Sequence, residues 1–364
     1  MNIKIMSQSA AGLLVLTITA SAITDEPPAL TSSPTPAPPA AKAGNEASLL
    51  GPLHWKSSGP LISPNPDEMH KLVSIKDPTV VHYGGLWHVY ATTADSNGSW
   101  HMVYLNFTNW SQATSAKQYY MDNNPNLRGY HCAPQVFYFR PQKKWYLIFQ
   151  SGQPQYSTSD DISKPETWTK PKDFFRGVPA SVVDKSWLDF WVICDRTRAY
   201  LFFSGDNGRV YRSQVKIEDF PNGMSDPVIV MQSSHREDLF EGGATYRLKG
   251  KDMYLTIIEA IGSGGRYYRG FVADSLDGPW RPLADTWENP FAGMSNVTFD
   301  DGVKPWTKDV SHGELIRDGY DETLTVDPAN LELLYQGRDP ASDGKQYSQL
   351  PYRLGLLHLD RGSK

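Results

Sequence analysis

From about Leu49 onward, apolar residues come in short strand-type runs separated by turn signals, with almost no helical periodicity. The runs are organised into units. "KDPTVVHYGGLWHVYATT", "CAPQVFYFRPQKKWYLIFQS", "WLDFWVICDRTRAYLFFSGD", "LFEGGATYRLKGKDMYLTIIEA" and "VSHGELIRDGYDETLTVDPANLELLYQG" each give a polar residue, a short apolar strand, a turn and a longer aromatic-rich strand. With Asp77, Gln135, Asp189, Glu241 and His312 as markers, the units are 58, 54, 52 and 71 residues apart. Antiparallel repeats of this length predict an all-β fold, a five-bladed β-propeller over residues 49–364. In such a fold the first strand of each blade lines the central channel, so Asp77, Asp189 and Glu241 are expected to face one pocket.

The pattern is different before Leu49. Lys4 precedes an apolar stretch from Ala11 to Ala22 that ends in Ala20-Ser21-Ala22, the form of a secretory signal peptide over residues 1–22 and too short for a membrane span. Residues 23–48 follow; their stretch "TDEPPALTSSPTPAPPAAKAGNEA" has six prolines and no aromatic residue, which predicts an extended tail. The expectation is a soluble, secreted, extracellular protein. Asn97, Asn106, Asn109 and Asn296 begin glycosylation sequons.

Composition narrows the partner. Net charge is −5 over 364 residues without long runs of either sign, which argues against nucleic acid and membrane and for an uncharged partner. The 11 Trp and 19 Tyr are read mainly as core, with some left to stack on sugar rings. Cys132 and Cys194 fall at opposite ends of neighbouring inner strands, roughly 25 Å apart at about 3.3 Å per residue, so both are expected as free thiols.

Three carboxylates around one polar pocket are what glycoside hydrolysis requires: one ionised as base or nucleophile, one protonated as acid, and a neighbour that keeps them apart in pKa. Any one of them alone reads as a turn residue or strand cap. Three at matching places in three of five repeats point to chemistry.

The motifs "WKSSGPLISP", "IKDPTVV", "VYATTADSNG", "MVYLNFTNWSQA", "APQVFYF", "WVICD", "DNGRVYRSQ", "EAIGSGGRYYR", "SHGELIRDGYDETLTV" and "LPYRLGLL" lie in the stretch from about Leu53 to Leu359. Through them the chain resembles the α-L-arabinofuranosidases of glycoside hydrolase family 62. The resemblance implies a five-bladed propeller that removes arabinofuranosyl side groups from arabinoxylan with inversion. It implies Asp77 as general base, Glu241 as general acid and Asp189 as the residue that orients and tunes the acid. Tyr347 would stack on the xylan chain, and a calcium ion coordinated largely by water could sit in the channel with His312 at its edge. A hydrogen-bonded structural His312 is an equal alternative. No organic cofactor is expected, and the chain is expected to act as a monomer.

Residue chemistry adds two binding expectations. Lys76 would either hold the base ionised or face solvent, and Gln135 would offer a neutral amide to sugar hydroxyls. Glu259 and Glu314 are rival acids, better read as members of structural ion pairs. The chain departs from the family pattern at His131-Cys132, at Ser348 and at Ala329, where many relatives have a cysteine. Two other readings compete: a furanosidase or xylosidase of the related five-bladed clan, and a carbohydrate-binding propeller without catalysis.

Overall fold

The computed structural model describes residues 49–361. The leader and the proline-rich tail lie outside the described residues. Strands form five sheets of four or five members. The innermost strands are Leu72–Tyr83, Cys132–Phe139, Leu188–Cys194, Glu241–Leu248 and Ser311–Leu315, and each touches the next around a closed ring. The protein is a five-bladed β-propeller, and the repeat spacing is its sequence signature.

Middle strands are apolar on both faces because each blade is sandwiched between two others. In Lys144–Gln150, the five residues from Trp145 to Phe149 are all buried. Most of the aromatic load goes into these inter-blade layers, with Trp55, Trp145, Trp168 and Tyr246 essentially inaccessible. The fifth sheet is assembled from distant segments: Trp55–Ser57 pairs antiparallel with Arg353–Leu359 and parallel with Val297–Phe299. Val297–Phe299, which leaves the fourth unit to join this sheet, lies within the longer last spacing.

A register shift interrupts all five innermost strands near their starts, between Lys76 and Thr79, Cys132 and Gln135, Leu188 and Trp191, Glu241 and Ala244, and Ser311 and Gly313. Such bulges re-aim side chains that strict alternation would send to opposite faces. At four of them the backbone enters the left-handed region, with φ of 48° at Asp77, 48° at Ala133, 52° at Asp189 and 62° at Gly242. Non-glycine residues held there cost about 1–3 kcal/mol each, a strain that gathers at functional sites. The equivalent positions are therefore Asp77, Ala133, Asp189 and Gly242, with His312 inside the fifth shift. Two of the sequence markers need correction: Gln135 lies two residues past its bulge residue, and Glu241 one residue before.

Both cysteines are free and buried, as their separation predicts. Among the described residues no helix is long and apolar enough to cross a membrane.

Candidate active site

The bulged ends of the inner strands surround a pocket of about 230 Å³ whose walls include Lys76, Asp77, Asp189, Glu241, His312 and Tyr347. The three carboxylates expected to converge do so. Each is held differently.

Asp77 is fixed by its backbone, whose N–H donates to Gln336 Oε1 at 2.7 Å. Its Oδ1 faces two nitrogens, Lys76 Nζ at 3.7 Å and His312 Nδ1 at 3.3 Å. Asp189 Oδ2 accepts from the Gly242 N–H at 2.8 Å and lies 3.5 Å from the same His312 nitrogen. Burial, with Glu241 and Asp77 adding to it and His312 opposing, pushes the Asp189 carboxyl up to about 7. Burial alone would lower His312, but Asp189, Asp77, Glu259 and Glu241 together outweigh it and raise its pKa. The imidazole Nδ1 thus sits between the two aspartates.

Glu241 Oε1 accepts from Arg266 Nη1 at 2.6 Å. Arg266 was not singled out in the sequence. It lies on the hairpin strand Gly265–Ala273 rather than on an inner strand, and "EAIGSGGRYYR" was the one available signal. The same Nη1 bonds Glu259, which is fully buried. Glu259 is in an ion pair as expected, but with the guanidinium that holds the acid. Glu314 pairs with Arg317 at 3.2 Å and accepts from Thr79 and Val80, away from the pocket.

Lys76 does not face solvent. It is buried, donates to Tyr347 Oη at 2.7 Å and lies 4.7 Å from the ring centroids of both Trp100 and Tyr347. Burial opposes its charge, and Asp77, Tyr347 and Glu241 together overcome it, raising the ammonium well above its usual range. The Tyr347 ring stacks on Trp100 and remains 45% exposed, a surface open at the rim. Trp100 was missed because it lies in a blade's third strand, outside the first-strand rule.

Gln135 is a correction. Its Oε1 accepts from Val192 N at 2.7 Å and its Nε2 donates to Val192 O at 3.1 Å, so the amide clasps the next blade's backbone. It lines a narrower cavity deeper in the channel, not the pocket with Asp77 and Glu241.

Calcium prefers six to eight oxygens. Among the described residues no group of three or more His, Cys, Asp and Glu side chains is disposed to hold a metal ion. His312 offers nitrogen, its Nδ1 faces two carboxylates, and the Gln135 oxygen is already bonded to Val192. These side chains alone do not supply calcium's oxygen shell, so an ion here would take most of its ligands from water, and no step below runs through a metal.

Carboxylates in unlike environments around one polar pocket at a propeller's channel end make a glycosidase-type site. The chain belongs to glycosyl hydrolase family 62, whose family model matches residues 54–358. It is 47% identical over 318 residues to alpha-L-arabinofuranosidase C of Cellvibrio japonicus (strain Ueda107), covering 86% of this chain and 48% of that protein. The chain thus spans about half the length of that curated relative. Among solved structures it is similar to the alpha-L-arabinofuranosidase PaAbf62A from Podospora anserina in complex with cellotriose, with TM-score 0.81, 46% identity and coverage of 85% of this chain and 98% of that one. It is also similar to a GH62 hydrolase in complex with xylotriose, with TM-score 0.80, 46% identity and coverage of 84% and 97%.

Proposed function

We propose that this protein is a secreted, inverting α-L-arabinofuranosidase that removes arabinofuranosyl side groups from arabinoxylan. The observation that carries the reading is the meeting of Asp77, Asp189 and Glu241 in one pocket of a family 62 chain. The leader-like residues 1–22 support export.

In this mechanism Asp77 takes a proton from water, with Lys76 Nζ 3.7 Å and His312 Nδ1 3.3 Å from its Oδ1. Glu241 gives a proton to the glycosidic oxygen as the bond to the arabinofuranosyl carbon breaks. Asp189 holds the acid's neighbour, Gly242, by the backbone and shares His312 with the base. Activated water attacks the face opposite the leaving group, which inverts the anomeric centre. Tyr130 and Tyr347, 46% and 45% exposed at the pocket, would take the apolar faces of backbone sugars on either side of the buried arabinose. An open rim suits a side group on a polymer better than a chain end, and three intact carboxylates favour catalysis over binding alone.

The test is product analysis on wheat arabinoxylan, with proton NMR of the first product. Free arabinose with the inverted anomer is expected. Xylo-oligosaccharides dominating from the earliest time points would refute the side-group reading. A retained anomer, or transfer to added methanol, would refute inversion.

A further inference from the structure

Glu241 needs more than a pocket position to serve as an acid. Its carboxyl must gain a proton in every turnover and present that proton on one oxygen, in one rotamer. Among the described residues the hydrogen bond to this carboxylate comes from Arg266, at Oε1. Oε2 is left as the oxygen that can carry a transferable proton.

Arg266 is itself firmly held. Its Nη1 also bonds Glu259, its backbone N–H donates to Asp309 Oδ1 at 3.0 Å, and its guanidinium lies 5.1 Å from the Phe240 ring centroid. Glu259 has both oxygens engaged. Oε2 accepts from Ser311 Oγ at 2.7 Å and from the His312 N–H at 2.6 Å. Ser311 Oγ in turn accepts from Gln336 Nε2 at 2.9 Å, and Gln336 Oε1 accepts from the Asp77 N–H at 2.7 Å. An unbroken set of hydrogen bonds therefore runs from the acid's carboxylate, through Arg266 and Glu259, to the backbone of the base.

Two carboxylates share one guanidinium, and their surroundings differ. Glu259 is inaccessible with both oxygens bonded, whereas Glu241 lines the pocket with one oxygen free of partners among the described residues.

We propose that Arg266, anchored by Glu259, is the positioning residue for the general acid: it binds Glu241 Oε1 and so aims Oε2 at the glycosidic oxygen. The proposal rests on the furanosidase reading given above. Neither Arg266 nor Glu259 touches the reacting atoms; both act through Glu241.

The experiment uses the full chain and the variants Arg266→Gln, Arg266→Lys and Glu259→Gln, with wheat arabinoxylan and 4-nitrophenyl α-L-arabinofuranoside as substrates. Arg266→Gln is expected to lower kcat on arabinoxylan about 10²-fold with KM nearly unchanged, because a sugar alkoxide leaves poorly without a well-aimed proton. On the nitrophenyl substrate, whose leaving group needs little protonation, the loss is expected to be only a few-fold. Arg266→Lys should restore part of the arabinoxylan activity, and Glu259→Gln should show the same substrate bias to a smaller degree. Combining Arg266→Gln with Glu241→Ala should be no slower on arabinoxylan than Glu241→Ala alone, since the two act as one unit. If Arg266→Gln does not melt cooperatively, Arg266→Lys and Glu259→Gln carry the comparison. Equal losses on both substrates, or a rise in KM with kcat intact, would overturn the proposal. A wild-type protein that releases arabinose from neither substrate would overturn the furanosidase reading itself, and this proposal with it.

Discussion

Asp189 Oδ2 accepts a hydrogen bond, 2.8 Å long, from the backbone N–H of Gly242 and so holds the acid's neighbour by its main chain. Its tie to Glu241 is thus through the backbone of the fourth blade's inner strand. The same carboxyl is buried and pushed up to about 7, with His312 beside it. One side chain therefore holds the acid's strand and faces the base's imidazole partner.

The raised pKa makes Asp189 a pH-dependent load on the fold. Below about pH 4 it is protonated in folded and unfolded chains alike. As pH rises toward about 7 the unfolded chain loses the proton readily while the folded chain holds it, so stability falls across that window. Asp189→Asn removes this loss. The variant is expected to gain stability over wild type between pH 4 and pH 8, by a few kcal/mol at most at ~1.4 per unit, while losing activity. The gain is reduced because His312 loses one of two carboxylate partners. Thermal melts at both pH values check it; a pH-independent difference would refute the linkage.

Gly242 has φ of 62°, and a Cβ there would lie 3.1 Å from His312 Cγ. Gly242→Ala should cost about 1–2 kcal/mol from backbone handedness. It should also displace the imidazole between the aspartates and lower kcat by about tenfold or more. Melting temperature and kcat on arabinoxylan are the measurements. Unchanged kcat with a lowered melting temperature would show that His312 tolerates the shift.

Acid and base should separate by leaving group. Glu241→Ala is expected to cost about 10² to 10⁴-fold on arabinoxylan but far less on a nitrophenyl arabinofuranoside. Asp77→Ala should damage both substrates similarly, because water must be activated in either case. The opposite pattern would mean that the two roles are exchanged.

Lys76 and Tyr347 are bonded to each other but should not be equivalent. Lys76→Met removes the cation 3.7 Å from Asp77, and kcat is expected to fall about 10²-fold. Tyr347→Phe removes one hydroxyl and keeps both the ring and the ammonium, so a loss of only a few-fold is expected. Equal losses would place the function of Lys76 in holding Tyr347 rather than in facing the base.

Fold and site were legible to different depths. Blade number follows from a repeat that any strand-turn-strand reading detects, and Asp77 and Asp189 share a position because both sit at a bulge with positive φ. Glu241 instead occupies the place that Lys76 has in the first blade, and Gln135 falls two residues beyond Ala133. A strict period of two cannot show these offsets, because each bulge adds residues to one strand only. Arg266 and Trp100 come from outer strands and reach the pocket through hairpin geometry, for which a first-strand rule has no signal. Gln135 looked like a sugar ligand because its type suits one; its partner, the Val192 backbone, lies 57 residues along the chain.

The strand Trp55–Ser57 pairs with Arg353–Leu359, joining segments from opposite ends of the described chain in one sheet. On a ribosome, which releases the N-terminal strand first, that strand waits about 240 residues for Val297–Phe299 and about 300 for Arg353–Leu359 before its partners emerge. Until then the ring is an arc with an unpaired edge. Tyr347 and Tyr352, whose rings lie 4.7 and 5.6 Å from the Lys76 ammonium, arrive in the same final stretch. The pocket is thus completed only once residues 347–359 have emerged, and a nascent chain shorter than that has no finished site with which to act.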